Sequence, residues 1–311
     1  MAKILITHGI PTAGIEALQG HDIIIPEPLA AYSMEELAAL IPDADAVIAG
    51  GKLPGDVIRA GKKLKIIANY GAGYDSVDVV AAAECGVPVT NIPDTVTNAT
   101  AELAIGLMLA VSRRIGEMNQ RLRREDSANL FGMGRNMGNT LQGRTLGVVG
   151  YGRIGARVAE VARALGMRVI ACSRHQVDGV ENADLPTLLS TADGITLHCP
   201  LTEATRHLLN ASAFAMMKPG AMVINTARGG VIDHDAMLEA LQNGHLAGVG
   251  LDVYPNEPHI PEGLRALDNV VCTPHIGANT AQTRQDMLEA CARQILGALA
   301  GKRPENIVNG N

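Results

Sequence analysis

The stretch Val148-Val149-Gly150-Tyr151-Gly152-Arg153-Ile154-Gly155 decides how this chain is read. It closes a short apolar run, Thr145–Val149, and opens a segment, Ile154–Leu165, whose apolar residues recur at helical spacing. A G-x-G-x-x-G placed between a strand and a helix gives each glycine a task. The first makes a tight turn, the second lets the backbone approach a pyrophosphate, and the third lets helix and strand pack closely. The first turn of the helix then offers unpaired N–H groups and the positive end of its dipole to the phosphates. The pattern predicts a dinucleotide site at Gly150, Gly152, Arg153, Ile154 and Gly155.

Outward from this turn the same rhythm continues. Toward the C-terminus, Arg168–Cys172, Gly194–His198, Ala221–Asn225, Gly248–Leu251 and Val270–Cys272 read as strands, with helices at Leu185–Thr191, Ala211–Met216 and Asp233–Asn243. Toward the N-terminus, Lys3–Thr7, Ile23–Pro26, Ala46–Ala49, Leu64–Ala68 and Val87–Asn91 read as a first set of strands, with helices at Ser33–Ile41 and Asp78–Cys85. Ser33 with Glu36 three residues on is a capping box. Continuous apolar strands spaced by helices imply parallel sheets covered on both faces, so the fold class is α/β with two doubly wound domains. Ala99–Arg124 reads as one long helix joining the two sets, and Thr280–Leu299 as a closing helix that returns to the first. The expected domains are 1–98 with 283–311, and 99–282. Ser127–Asn139, with three Gly and three Asn, is the most loop-like segment, and with the apolar Ala101–Val111 it is the candidate interface of a homodimer.

Composition narrows the partners. The 311 residues are 47% apolar and 19% charged, an ordinary globular balance for about two domains, and the net charge of −6 lacks the basic footprint of a nucleic-acid binder. The apolar run Leu103–Val111 ends at Arg113 and Arg114, far short of the ~20 residues of a membrane span, and the N-terminus reads as a strand rather than a signal peptide. Five scattered cysteines without a Cys-x-x-Cys pair argue against a disulfide framework or zinc site and for a reducing cytoplasm; no metal is expected.

The second strand after the glycine turn bears on which dinucleotide is used. An NAD site places Asp or Glu about 20 residues on, at that strand's end. Here Arg168–Cys172 is followed by Ser173, Arg174 and His175, and the nearest acid is Asp178. A hydroxyl and a guanidinium suit a 2′-phosphate, and no carboxylate repels it. NADP is the expected cofactor, with NAD possible.

Three further strand ends carry chemistry. Arg228 follows Ala221–Asn225, Asp252 and Glu257 follow Gly248–Leu251, and His275 follows Val270–Cys272. Ligands of open α/β sheets bind outside the carboxyl ends of strands. A guanidinium fork can hold a carboxylate and polarise the neighbouring carbonyl. An imidazolium can donate a proton to that oxygen as hydride reaches the carbon, and a carboxylate beside the imidazole stabilises its charged form. Arg228, Glu257 and His275 are therefore the expected catalytic set, with Asp252 on the nicotinamide side or orienting the site. Gly71-Ala72-Gly73 can present backbone N–H groups to a carboxylate as an anion nest. His198, His234, His245 and His259 have no comparable support.

These motifs, in order along the whole chain, resemble the D-isomer-specific 2-hydroxyacid dehydrogenases. Asn69-Tyr70-Gly71-Ala72-Gly73-Tyr74-Asp75-Ser76-Val77-Asp78 looks like that family's substrate-carboxylate loop. Leu197-His198-Cys199-Pro200-Leu201-Thr202 with Thr205 is similar to its adenine-flanking segment. Asn225–Gly230, Gly250–Pro258 and Thr273–Gly277 look like the segments that carry its catalytic Arg, Glu and His. The resemblance implies a flavodoxin-like substrate domain and a Rossmann cofactor domain. It carries Ala72, Gly73, Arg228 and His275 to the substrate, and Cys199, Pro200, Thr205, Thr226, Ala227, Asp252 and Gly277 to the cofactor side, with Cys199 no more than wall. Within the family, the second strand end looks most like glyoxylate and hydroxypyruvate reductases, with the substrate in the interdomain cleft. Open alternatives are a D-3-phosphoglycerate dehydrogenase, although the chain ends too soon for the C-terminal regulatory domain often found there, a nucleotide-sensing corepressor-like protein, and a methyltransferase on the same turn.

Overall fold

The computed structural model describes residues 1–124 and 127–310. The chain divides into two compact units, Met1–Val96 with Ala278–Asn311, and Thr97–Gly277. Both boundaries fall a few residues earlier than the sequence places them, because the helix expected from Ala99 already begins at Thr97 and the second unit closes at the glycine after Ile276.

The first unit is a five-stranded sheet of β1 (Lys3–Ile6), β2 (Asp22–Ile24), β3 (Ala46–Ala49), β4 (Ile66–Asn69) and β5 (Val89–Thr90). All neighbours are parallel and the order is β2-β1-β3-β4-β5, the flavodoxin-like arrangement. Both faces are buried, so alternation along each strand divides its side chains between two cores. Ile4, Ile6, Ile48 and Ile66 pack against Met287, Leu288 and Ile295 of the closing helix Ala281–Leu299. Leu5, Val47 and Ile67 pack against Leu37, Ile41, Val57 and Ile58 on the opposite face. The capping box is present: Glu36 N–H donates to Ser33 Oγ (3.2 Å) and Ser33 N–H to Glu36 Oε2 (2.8 Å), which holds the start of helix Met34–Leu40.

The second unit has seven parallel strands: β6 (Thr145–Val149), β7 (Arg168–Cys172), β8 (Glu181–Asn182), β9 (Gly194–Leu197), β10 (Ala221–Asn225), β11 (Leu246–Leu251) and β12 (Val270–Cys272). Their order is β12-β11-β10-β9-β6-β7-β8, a Rossmann sheet extended by one strand, and its switch point lies between β6 and β9. β8 was not legible in the sequence: it is two exposed polar residues, held by pairing with β7 and by the Arg168–Glu181 ion pair (2.6 Å). The long helix expected over Ala99–Arg124 is two helices, Thr97–Ser112 and Ile115–Arg124. They part at Arg114, whose φ of 55° is left-handed and cannot continue a right-handed helix. Its guanidinium is instead bound by both oxygens of Glu117 (2.7 and 2.6 Å).

Among the described residues no helix is long and apolar enough to cross a membrane.

Candidate active site

The glycine turn sits at the switch point of the second sheet. Gly150 has φ 91° and its N–H bonds the Cys172 carbonyl (2.9 Å), while a Cβ there would stand 2.6 Å from the Cys199 nitrogen. A Cβ at Gly155 would meet the Gly150 carbonyl oxygen at 2.2 Å. Both positions therefore admit only glycine, one for conformation and contact, the other so that helix Arg153–Ala164 can close onto the turn. Gly152 differs: no atom lies within 4 Å of a Cβ built on it, and it caps the helix with no side-chain bond. The open space thus lies in front of the first-turn N–H groups, where a pyrophosphate fits.

The other residues expected near a dinucleotide stand at the ends of β7, β9 and β10. The bond from Gly150 to Cys172 brings the end of β7 beside the turn, so the exposed Ser173 and Arg174 follow directly. Burial pushes the Cys199 thiol up to about 11, which leaves it an inert wall. Thr205 Oγ1 donates to the Pro200 carbonyl (2.6 Å) and accepts from Thr202 N–H (2.8 Å), which closes the loop after β9. Thr226 Oγ1 is buried with no partner among the described residues. An orphaned buried hydroxyl costs stability unless a ligand completes it. With the cradle at Gly152, it makes the residues present a fit for a nicotinamide dinucleotide.

At the neighbouring strand ends the structure brings Glu257 and His275 together. His275 Nδ1 lies 2.7 Å from Glu257 Oε2, and the other carboxylate oxygen accepts the Tyr254 N–H (3.0 Å). Glu257 is thereby held with one oxygen on backbone and one on imidazole. This fixes the ring and leaves Nε2, on the far side, as the atom that can give or take a proton. His275 has φ 53°, a left-handed conformation that costs a non-glycine residue roughly 1–2 kcal/mol. Asp252 supplies what holds it there. Its carbonyl accepts His275 N–H (2.9 Å), and its buried carboxylate accepts Thr273 Oγ1 (2.7 Å), Ile276 N–H (2.8 Å) and Gly277 N–H (2.8 Å). Both oxygens of Asp252 are spent on the segment 273–277, so this side chain orients the histidine loop.

Arg228 leaves β10 through a turn tied by Asn225, which accepts Ala227 N–H (3.0 Å) and donates to the Arg228 carbonyl (2.9 Å). Arg228 Nη1 donates to the Ala227 carbonyl (2.7 Å). A Cβ at Gly229 would lie 2.0 Å from the Tyr254 carbonyl carbon, so the Arg228 turn and the Glu257 turn press against each other. Tyr254 OH donates toward the carbonyls of Leu251 (3.1 Å) and Thr273 (3.0 Å), which ties β11 to β12 at this rim. Asn225 and Tyr254 were missed by sequence reasoning. The only signal was a polar residue closing an otherwise apolar strand, and an aromatic in a chain with five tyrosines and no tryptophan.

In the first unit, the loop after β4 has its carbonyls taken by side-chain amides. Asn69 Nδ2 donates to Gly71 O and Gly73 O (2.9 Å each) and Asn91 Nδ2 to Ala72 O (2.7 Å). The N–H groups of Ala72 and Gly73 make no hydrogen bond among the described residues.

The model of the D-isomer specific 2-hydroxyacid dehydrogenase NAD binding domain matches residues 105–277, and a glyoxylate reductase of Thermococcus onnurineus (strain NA1) is 39% identical over 324 residues, covering 99% of this chain and 96% of the relative. The chain belongs to the D-isomer specific 2-hydroxyacid dehydrogenase family. Among solved members, an NADPH-dependent glyoxylate/hydroxypyruvate reductase from Sinorhizobium meliloti, in complex with NADP and malonate, superposes with a TM-score of 0.88 at 32% identity, covering 99% of this chain and 96% of that one. A protein from Thermus thermophilus reaches 0.92 at 38% identity, covering 98% of this chain and 99% of that one. The part matched by the family model includes the glycine turn, Arg228, Glu257 and His275; Ala72 and Gly73 lie outside it.

Proposed function

We propose that this dehydrogenase reduces a small 2-keto acid, glyoxylate or hydroxypyruvate, to the D-2-hydroxy acid, and that it prefers NADPH to NADH. The observation that carries the reading is the 2.7 Å pair of His275 and Glu257 at the strand-end rim that also bears Arg228. A nicotinamide held at the glycine turn would supply the hydride for the keto carbon. His275 gives a proton from Nε2 to the carbonyl oxygen, so that C=O becomes CH–OH, and Glu257 stabilises the imidazolium before the transfer and holds the ring. Arg228 grips the carboxylate and polarises the carbonyl, for which a planar fork suits better than an ammonium. The unspent N–H groups of Ala72 and Gly73 are donors for the substrate carboxylate. Gly150, Gly152, Arg153, Ile154 and Gly155 take the pyrophosphate, and Ser173 and Arg174 the 2′-phosphate. Pro200, Thr205, Thr226, Ala227 and Gly277 line the cofactor.

Loss of the reduced-nicotinamide absorbance with glyoxylate or hydroxypyruvate tests the reading. His275→Ala should lower kcat by about 10²–10⁴ and leave NADPH binding nearly intact. Near-normal turnover in that variant would remove His275 from the mechanism.

The protein is further proposed to act as a homodimer in the reducing cytoplasm, where its five unpaired cysteines are stable. Ile115, Leu122, Phe131, Met133 and Met137 are all exposed within residues 115–137, and Phe131 is one of only two phenylalanines in the chain. A second copy covering this apolar set explains their exposure. Phe131→Asp with Met137→Asp should then shift the protein to monomer in light scattering.

A further inference from the structure

The first sheet has its own switch point. In the order β2-β1-β3-β4-β5 the chain changes direction between β1 and β3, and open α/β sheets bind ligands in the crevice at the carboxyl ends of such a pair. The residues at that crevice are Thr7 and His8 after β1, and Gly50 and Gly51 after β3. Thr7 Oγ1 accepts the Gly50 N–H (3.0 Å) and stands 2.8 Å from His8 Nδ1. Thr7 is buried, and Nδ1 is the acceptor within reach of its hydroxyl proton. Nδ1 therefore accepts, and the ring hydrogen of the neutral imidazole sits on Nε2. Burial lowers His8 from its ordinary value, which keeps that neutral form.

The Nε2 edge of the ring faces Gly51. A Cβ at Gly51 would lie 2.5 Å from Cε1 and 2.6 Å from Nε2, so the imidazole occupies the place a side chain at position 51 would take. Nε2 makes no hydrogen bond among the described residues and is not sealed from solvent. A donor of fixed direction is thus left at the crevice. One strand further on, β4 leads into the Ala72–Gly73 loop, and Tyr70 N–H bonds the Ala49 carbonyl (2.8 Å) so that these strand ends are laced together. Two strand spacings, about 10 Å, separate β1 from β4. A three-carbon keto acid held by that loop would have to reach across this span to meet the imidazole.

We propose that His8, with its tautomer set by Thr7, is the specificity residue of this face, and that its Nε2–H donates to a hydroxyl on the carbon next to the keto carbon. The proposal rests on the keto-acid reading above. Hydroxypyruvate carries that hydroxyl, pyruvate has a bare methyl group there, and glyoxylate has no such carbon.

The test is kcat/KM for hydroxypyruvate, pyruvate and glyoxylate at saturating NADPH in wild type, His8→Phe, His8→Gln and Gly51→Ala. In His8→Phe, which keeps a planar ring but no donor, the hydroxypyruvate-to-pyruvate ratio should fall about 5- to 12-fold, the worth of a neutral hydrogen bond of about 1–1.5 kcal/mol. His8→Gln, which keeps an N–H donor, should hold the ratio within about threefold of wild type. Gly51→Ala should behave like His8→Phe, because its methyl displaces the ring; it serves as the second variant if His8→Phe folds poorly. An unchanged ratio in an active His8→Phe or Gly51→Ala enzyme overturns the proposal alone. Wild-type protein that reduces none of the three acids overturns the keto-acid reading, and this one with it.

Discussion

Glu257 and Asp252 divide the work on His275, one from the side of the ring and one from the backbone. Glu257 is exposed enough to be replaced without collapse, so its substitution reports on chemistry. Glu257→Gln keeps an oxygen for Tyr254 N–H but loses the negative charge beside Nδ1. We expect kcat to fall about 10- to 100-fold with little change in thermal midpoint; a fall in stability with kcat intact would make Glu257 a structural residue. Asp252 should behave in the opposite way. Asp252→Ala removes the acceptor of the half-buried Ile276 N–H and the buried Gly277 N–H and leaves the Thr273 hydroxyl only its longer contact with the Leu251 carbonyl (3.4 Å), so stability should drop by about 2–4 kcal/mol, with His275 misplaced as a consequence. Denaturant unfolding of that variant checks the first part; an unshifted curve contradicts it. The sequence alone placed Arg228, Glu257 and His275 at strand ends, because an apolar run followed by a polar residue is visible in one dimension. It could not display the three bonds that Asp252 makes, since their donors lie more than 20 residues away and two of them are plain backbone.

At the level of elements, the proposed cofactor preference rests on the end of β7. Ser173 and Arg174 are exposed there beside Gly150, and the first acid after them, Asp178, is exposed as well. A charge-assisted contact to the 2′-phosphate contributes about 1.5–3 kcal/mol, or roughly 10- to 150-fold in affinity. NADPH should exceed NADH in kcat/KM by about that factor, and raised salt should narrow the gap. Ser173→Asp with Arg174→Pro should turn the preference toward NADH, by repelling the phosphate and offering the ribose an acceptor. Wild-type enzyme that favours NADH under matched conditions would refute the assignment while leaving the role proposed for His275 untouched. Elements of continuous apolar character, such as β6, β7, β10 and β12, were legible to the residue. β8 and the break at Arg114 were not, because neither depends on an apolar pattern: one is stabilised by a neighbour strand and an ion pair, the other by a left-handed residue whose guanidinium binds Glu117 in the following helix.

Across the whole molecule, acid is the condition that should expose how the interior is built. Burial lowers His8 and His234 below the ordinary histidine value and pushes His198, which sits between β9 and the cofactor-side loop, down to about 3. In the unfolded chain each titrates near 6.5. Above that pH all three are neutral folded or unfolded, and they add nothing to the pH dependence. Below it the unfolded chain takes up protons that the folded chain refuses, so stability must fall as pH drops. Each such histidine contributes a slope of up to about 1.4 kcal/mol per pH unit, and His8 and His234 stop contributing once pH reaches their own lowered values. His198 goes on contributing down to about pH 3. The window from pH 6.5 to 5 isolates the effect, because the carboxylates held low by hydrogen bonds, Asp193 among them, begin to lose their contribution only as pH approaches the ordinary carboxylate range. His198→Asn keeps a polar group beside Thr196 Oγ1, which lies 2.9 Å from the imidazole, but cannot titrate. Its thermal midpoint should therefore decline less steeply than that of wild type between pH 6.5 and 5, by up to one proton's worth of slope, while the two proteins run parallel from pH 7 to 8. Parallel curves throughout would mean that the folded protein protonates His198 as readily as the unfolded chain does, and that the ring is not desolvated where it sits.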